Sequence, residues 1–218
     1  MPVTWRSVMN READKPDFNG PNEYKSPSDF AGQQLFIQGD DWHNNAMLGW
    51  THFPLDTYAL GYKDAADGLL YALAERRASL DTVIYPLIFL YRQALELQLK
   101  LLLPLARRLA DASAKEDHRH ELMPMWKELR QHLEVLISDE DDSEYAAMED
   151  FISQLHEADP RSFAFRYPTN MKGEVSLPDL RHVNVRHLSE VMDSIFLMLN
   201  GAYSMLGEMD QYDQHAEW

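Results

Sequence analysis

Apolar residues recur at helical spacing along most of the chain. Positions three and four residues apart share one face of a helix, so such stripes predict helices that bury that face. The pattern predicts helices over 55–78, 83–103 and 122–136, a fourth ending near 158, and a last one after 184. The 83–103 segment is apolar almost all round, which is typical of a central helix. We therefore expect an all-α, antiparallel bundle of four or five helices.

Local signals predict how the helices begin and end. Asp81 or Thr82 is a candidate N-cap of the second helix, and Pro104 is expected to kink or end it. Asp141 and Glu144 have the spacing of a capping box at the start of the fourth helix.

Three segments fall outside the helical pattern. Residues 1–54 begin polar and rich in proline and continue with irregularly spaced aromatic residues. They predict an irregular N-terminal arm that packs on a bundle formed by residues 55–212. Residues 213–218 are expected to form a frayed tail. Between the last two helices we expect a structured loop with a short extended piece at 163–167.

Composition and charge narrow the function. The chain has no cysteine, which excludes disulfides, thiolate metal ligands and cysteine nucleophiles. The N-terminus does not resemble a signal peptide, and charged residues interrupt the most apolar segment, so we expect a cytoplasmic protein outside the membrane. The formal net charge is −16. Proteins that grip nucleic acid usually present a basic face, so such a role here has to be local.

Arg92, Glu96 and Lys100 are spaced four residues apart on the most apolar helix and therefore share one stripe. A charged stripe on such a helix needs water or partners. It is either a solvated or internally paired structural feature, or a polar seam that lines a cleft.

Known catalytic sequence patterns are absent. The chain has no glycine-rich phosphate loop, no dinucleotide fingerprint and no zinc-protease or serine-hydrolase motif. His118 and His120 lie beside Asp117 and could contact a metal ion, but two histidines in an acidic linker are more often solvated. We therefore expect neither a metal nor a cofactor.

The segment LRHVNVRHLSE combines arginine and histidine at the start of the last helix. Asn184 is the candidate N-cap, and Arg181, Arg186 and His187 lie on either side of it. Free N–H groups and partial positive charge favour an anion at a helix N-terminus. An arginine can stabilise a phosphate and a histidine can transfer a proton, which is sufficient for metal-free RNA cleavage. Exposed arginines and histidines are also common in loops before helices.

Four segments in order along the chain are similar to bacterial helical proteins of the HEPN superfamily. They are YPLIFLYRQALELQLKLLL, HELMPMWKEL, DPRSFAFRYPTNMKG and VNVRHLSEVMDSIFLMLNGA. The resemblance implies a helical bundle that pairs as a homodimer. Many members are metal-independent endoribonucleases in toxin–antitoxin, phage-defence or RNA-processing systems, and others are catalytically silent modules that bind RNA, a nucleotide or a partner protein.

The resemblance also implies site residues. The family hallmark is an arginine, a polar residue and a histidine four to six positions after the arginine, and Arg181, His182 and His187 match it. Arg181 would then bind the scissile phosphate, and His187 would act as general acid or base. Arg166 in FRYP and Arg92 are rival cationic candidates for ligand binding, and Arg166 could instead pair with Glu96. A third possibility is an interaction protein in which the arginines matter only for stability.

Overall fold

The computed structural model describes residues 26–40, 42–52, 54–112, 120–137 and 142–216. Asp141, the candidate cap of the fourth helix, lies outside these ranges. The chain divides into two units after His52. In the described part of the first unit, two short 3-10 helices span Pro27–Phe30 and Trp42–Asn44. The packing of this arm on the bundle stays a prediction.

The second unit is helical, as the apolar spacing predicts. Its described residues form α1 (Pro54–Ala74), α2 (Leu80–Leu109), α3 (Leu122–Leu136), α4 (Asp142–Ala158) and α5 (Val185–Ala216). No β-strand occurs among the described residues, which contain one isolated β-bridge between Thr169 and Val175. The prediction of an all-α bundle is therefore confirmed.

Helix α2 occupies the centre of the bundle and contacts α1, α3 and α5, whereas α4 packs on α3. Its buried apolar side chains meet the inward stripes of the neighbouring helices in one core. The fully buried contributors from α2 and α3 include Leu95, Leu99, Leu103, Met125, Trp126 and Leu129. This arrangement explains why α2 is apolar around most of its circumference.

Helix α2 is longer than predicted at both ends. It begins at Leu80, directly after Ser79, so neither Asp81 nor Thr82 is its N-cap. It also continues through Pro104 to Leu109, so of the two effects expected of Pro104, a kink or an end, the end is wrong. A proline inside a helix costs about 3 kcal/mol because it removes a backbone hydrogen bond. The buried residues that flank it, including Leu103 and Ala106, offset that cost through packing.

Helix α1 ends four residues earlier than predicted. Arg76 adopts a positive φ of 55°, Arg77 N–H donates to Ala72 O at 2.8 Å, and Arg76 N–H donates to Leu73 O at 3.0 Å. This pair of bonds is a Schellman ending, which satisfies carbonyl groups that the helix leaves open. Such endings usually use glycine, so the sequence carried no signal for this one.

The segment between α4 and α5 is a structured loop, as predicted. Residues 163–167 form a turn and not the expected extended piece, because Arg166 N–H and Tyr167 N–H both donate to Phe163 O. At the other end of the bundle domain, α5 continues to Ala216, through part of the segment predicted as a frayed tail.

A polar contact ties α1 to α5. Lys63 Nζ donates to Asp67 within α1 and to Asp193 Oδ1 of α5 at 2.8 Å. Tyr91 of α2 donates to Asp67 Oδ1 at 3.4 Å. Burial, together with the charges of Asp67 and Asp193, raises the pKa of Tyr91. None of the helices within the described ranges is long and apolar enough to cross a membrane.

Candidate functional site

The charged stripe of α2 is buried inside the bundle. The Arg92 side chain is 0% exposed. Its Nη1 donates to Glu96 Oε2 at 3.0 Å, its Nε donates to Asp159 O at 2.9 Å, and its Nη2 donates to His120 O at 2.9 Å. One guanidinium group therefore joins α2 to the end of α4 and to the residues that precede α3. We call Arg92, Glu96, Lys100, His120 and Asp159 the Arg92 cluster.

Glu96 is the acceptor at the centre of the Arg92 cluster. Its side chain is 2% exposed, and its Oε1 accepts hydrogen bonds from Lys100 Nζ at 2.9 Å and from His120 Nδ1 at 2.8 Å. Burial alone raises the pKa of Glu96, but the hydrogen bonds from Lys100, His120 and Arg92 outweigh it and lower that pKa below the ordinary value. The carboxylate is therefore ionised at neutral pH.

Among the alternatives for the α2 stripe, the structure shows internal pairing. Arg92 and Glu96 lie too deep to contact a ligand in this conformation, so we assign them a structural role. The proposed pair between Arg166 and Glu96 does not form. Arg166 Nε donates instead to Ser162 O at 2.6 Å, and Glu96 is occupied by the other members of the Arg92 cluster.

Asp159 links the Arg92 cluster to the loop before α5. Its Oδ1 accepts hydrogen bonds from the backbone N–H groups of Phe163 and Ala164, the latter at 2.9 Å. Its Oδ2 lies 3.7 Å from Arg92 Nε. From the sequence, Asp159 was interpreted only as the residue at which a helix ends. Its role in holding the turn at Phe163 and Ala164 was missed. An aspartate four residues before a turn is the one available signal, and it is a common pattern.

The loop carries an aromatic cluster around Arg166. The rings of Phe163 and Tyr167 stack with centroids 4.6 Å apart at an angle of 29°. The Arg166 guanidinium lies 5.6 Å from the Phe89 ring centroid, 6.0 Å from that of Phe163 and 5.6 Å from that of Tyr167. These distances are within the range of cation–π attraction. Arg166 itself is exposed.

Residues 160–187, which we call the basic segment, have a charge opposite to that of the whole chain. They contain five lysines and arginines, two acidic residues and two histidines, which gives a formal charge of +3 against −16 overall. The two acidic residues are Glu174 and Asp179. The basic segment is therefore a locally positive stretch within an acidic chain.

Two neighbouring grooves run along the end of the basic segment. Arg181 and Arg186 line the larger one, of about 680 Å³, which we call the Arg181 groove. His187 lines the smaller one, of about 300 Å³, which we call the His187 groove. Phe165 and His182 line both. The proposed catalytic residues Arg181 and His187 thus lie on one surface but in adjoining grooves.

The exposed basic side chains of these grooves are unpaired. Arg181, His182, Arg186 and His187 form no side-chain hydrogen bond or ion pair with any residue that the structure describes. Asn184 caps α5 as predicted, since its Oδ1 accepts from His187 N–H at 3.1 Å. Its side-chain oxygen is therefore used within the helix N-terminus.

The two grooves differ in chemical character. The Arg181 groove includes one acidic residue, Asp81, together with apolar side chains of α2. The His187 groove has no acidic lining residue and is mostly apolar, with Phe151, Leu155 and Met192 on its walls. Such a surface can hold an anion at the arginines and an apolar ring beside them.

The described ranges contain no group of three or more histidine, aspartate or glutamate side chains arranged to hold a metal ion. His120 contacts Glu96 in the Arg92 cluster. Asp117 and His118 lie outside the described residues. No family model, curated protein or solved structure matches this chain. The resemblance to the HEPN superfamily therefore stays a prediction.

Proposed function

We propose that the protein binds RNA by contacting phosphates through the Arg181 groove. The observation that carries this proposal is the pair of exposed guanidinium groups, Arg181 and Arg186, which have no partner among the described residues of an acidic chain. The cations of Arg92, Lys63 and Arg107 are held by carboxylates. Exposed cations such as Arg77 and Lys127 also have no described partner, but they lie outside both grooves, whereas Arg181 and Arg186 line the same one. A guanidinium left open forms strong, charge-assisted hydrogen bonds with phosphate.

The test is binding of a fluorescently labelled RNA at several salt concentrations. The double variant Arg181→Ala and Arg186→Ala should weaken binding and flatten the dependence of log K on log salt by ~0.7 for each phosphate that the protein no longer neutralises. The matched control is Arg77→Ala with Lys127→Ala, which removes the same charge from exposed positions outside both grooves. Equal reductions in the two double variants would mean that only net charge matters and would refute the site.

Cleavage of RNA is a second candidate function, favoured by the exposed imidazole of His187 beside the two arginines. Histidine side chains can transfer protons near neutral pH, and the RNA 2′-OH can serve as the internal nucleophile. Because Arg181 and His187 line adjoining grooves, the scissile phosphate would have to lie at their shared wall.

Incubation of total RNA with the purified protein in EDTA tests this candidate. Cutting by the wild type that disappears in His187→Ala and in Arg181→Ala would establish a metal-independent endoribonuclease. Cutting retained by both variants would remove these residues from the reaction. If the protein binds RNA but does not cut it, the remaining candidate is a catalytically silent RNA-binding module. The predicted homodimer is tested separately by the mass of the protein in solution.

A further inference from the structure

The aromatic cluster of the basic segment has a ring that the core does not cover. Tyr167 stacks on Phe163 with one face and is still 49% exposed. The Arg166 guanidinium lies 5.6 Å from the centroid of the same ring and is exposed as well. Proteins that bind single-stranded nucleic acid combine such rings with basic side chains, because every base offers an aromatic face.

We propose that Tyr167 and Arg166 stack an unpaired base, so that the ligand of the Arg181 groove is single-stranded RNA. This inference rests on the proposed function and adds to it a class of RNA and a second contact site. The Phe163–Tyr167 stack and Arg166 form the proposed stacking site.

The loop holds the stacking site in place before any ligand arrives. Arg166 N–H and Tyr167 N–H donate to Phe163 O, and the Asp159 carboxylate accepts from two further backbone N–H groups of the same turn. Asp159 is fixed in turn by Arg92. A ring that is already ordered loses little conformational entropy on binding, which favours its use as a stacking platform.

The stacking site and the phosphate site both belong to the basic segment. Phe165, next in sequence to Arg166, is buried and lines both the Arg181 groove and the His187 groove. Arg166 and Tyr167 therefore directly follow, in sequence, a residue that lines both grooves. One single strand would then place a phosphate on Arg181 and an unpaired base on Tyr167.

Duplex RNA does not fit such a site. Its bases are already stacked within the helix, so their faces are closed to a tyrosine. Phosphate attraction alone would not favour a single strand, because a duplex carries the denser charge. A preference for single strands is therefore the signature that separates stacking from charge attraction.

The experiment compares a labelled single-stranded RNA with its duplex, using the wild type and Tyr167→Leu. The variant keeps apolar bulk but removes the ring. We expect its single-strand affinity to fall about 5- to 150-fold, the range for removing one base stack, with no change in duplex affinity or salt dependence. Tyr167→Phe retains the ring and should retain binding. The control is Tyr71→Leu, which changes a tyrosine that is 67% exposed on α1.

The outcomes separate this inference from the proposed function. The stacking site would be overturned if Tyr167→Leu kept its affinity for the single strand, or if the wild type bound the two RNAs equally well. Phosphate contact would still be supported in that case if the Arg181 and Arg186 double variant bound RNA more weakly. Absence of RNA binding by the wild type at low salt would overturn both. Free AMP should compete with the labelled strand less effectively, per mole, than the unlabelled strand does, because a mononucleotide cannot span the two sites. Equally effective competition by AMP would also overturn the inference.

Discussion

Replacing Arg92 by methionine is expected to destabilise the protein strongly. Methionine keeps much of the aliphatic length but removes a charge that is 0% exposed. Breaking a buried ion pair from one side costs about 3–5 kcal/mol because the other charge stays buried. Lys100 and His120 still compensate Glu96, which reduces this cost. The carbonyl oxygens of Asp159 and His120 lose their donors, which adds to it.

We therefore expect a decrease of about 4 kcal/mol in the free energy of unfolding. For a domain of this size, each kcal/mol lowers the Tm by roughly 2–4 °C, so the variant should melt about 8–16 °C below the wild type. Urea denaturation followed by circular dichroism measures the free energy directly. The control is Arg108→Met in the same helix, where the arginine pairs with Asp210 but is 60% exposed. An exposed pair of this kind is worth about 0–1 kcal/mol.

A decrease below about 1 kcal/mol in Arg92→Met, equal to that of Arg108→Met, would refute the assignment of Arg92 as a buried structural anchor. A double-mutant cycle with Glu96→Gln gives a second check. If the two residues act as one buried pair, the double variant should lose less stability than the sum of the single variants.

Three further predictions concern titration and capping. Folding lowers the pKa of Glu96, so the stability that this carboxylate contributes is complete above the ordinary glutamate pKa and is lost as the pH falls below it. The difference in unfolding free energy between the wild type and Glu96→Gln should therefore shrink from about pH 6 to about pH 3. A difference that stays constant over this range would contradict the prediction. Folding raises the pKa of Tyr91, so its contribution is lost as pH rises above ~10, and Tyr91→Phe should resist alkaline unfolding near pH ~11 better than the wild type. Asn184→Ala should cost about 1 kcal/mol in urea denaturation, whereas Asn184→Asp should retain the cap; equal stability of the two variants would argue against it.

The spacing of apolar residues was enough to predict the helices of the bundle. A buried helical face requires apolar side chains every three to four positions, and residues this close in sequence are enough to show the pattern. The cap at Asn184 was predictable for the same reason, because the acceptor and its N–H donor are three residues apart. The end of α1 was not, since Arg76 takes a backbone conformation for which its side chain gives no signal.

The candidate site was predictable only in part. The sequence placed Arg181, Arg186 and His187 around the start of the last helix, and the structure shows them exposed there. It did not reveal that Arg181 and His187 line adjoining grooves, or that Phe165 lines both of them. The groove walls come from α2, α4, α5 and the loop together, so their positions depend on how distant segments pack.

The role of the α2 stripe shows most directly where sequence reasoning stopped. The four-residue spacing of Arg92, Glu96 and Lys100 determined that their side chains share one face of a helix. Whether that face meets water, a ligand or other protein groups depended on segments far away in the chain. The donors of Arg92 bond to His120, 28 residues away, and to Asp159, 67 residues away. The sequence by itself determined the helices and their faces, because helical hydrogen bonds are local. Only the tertiary structure decided which charges are buried and which remain open, because burial is set by nonlocal packing.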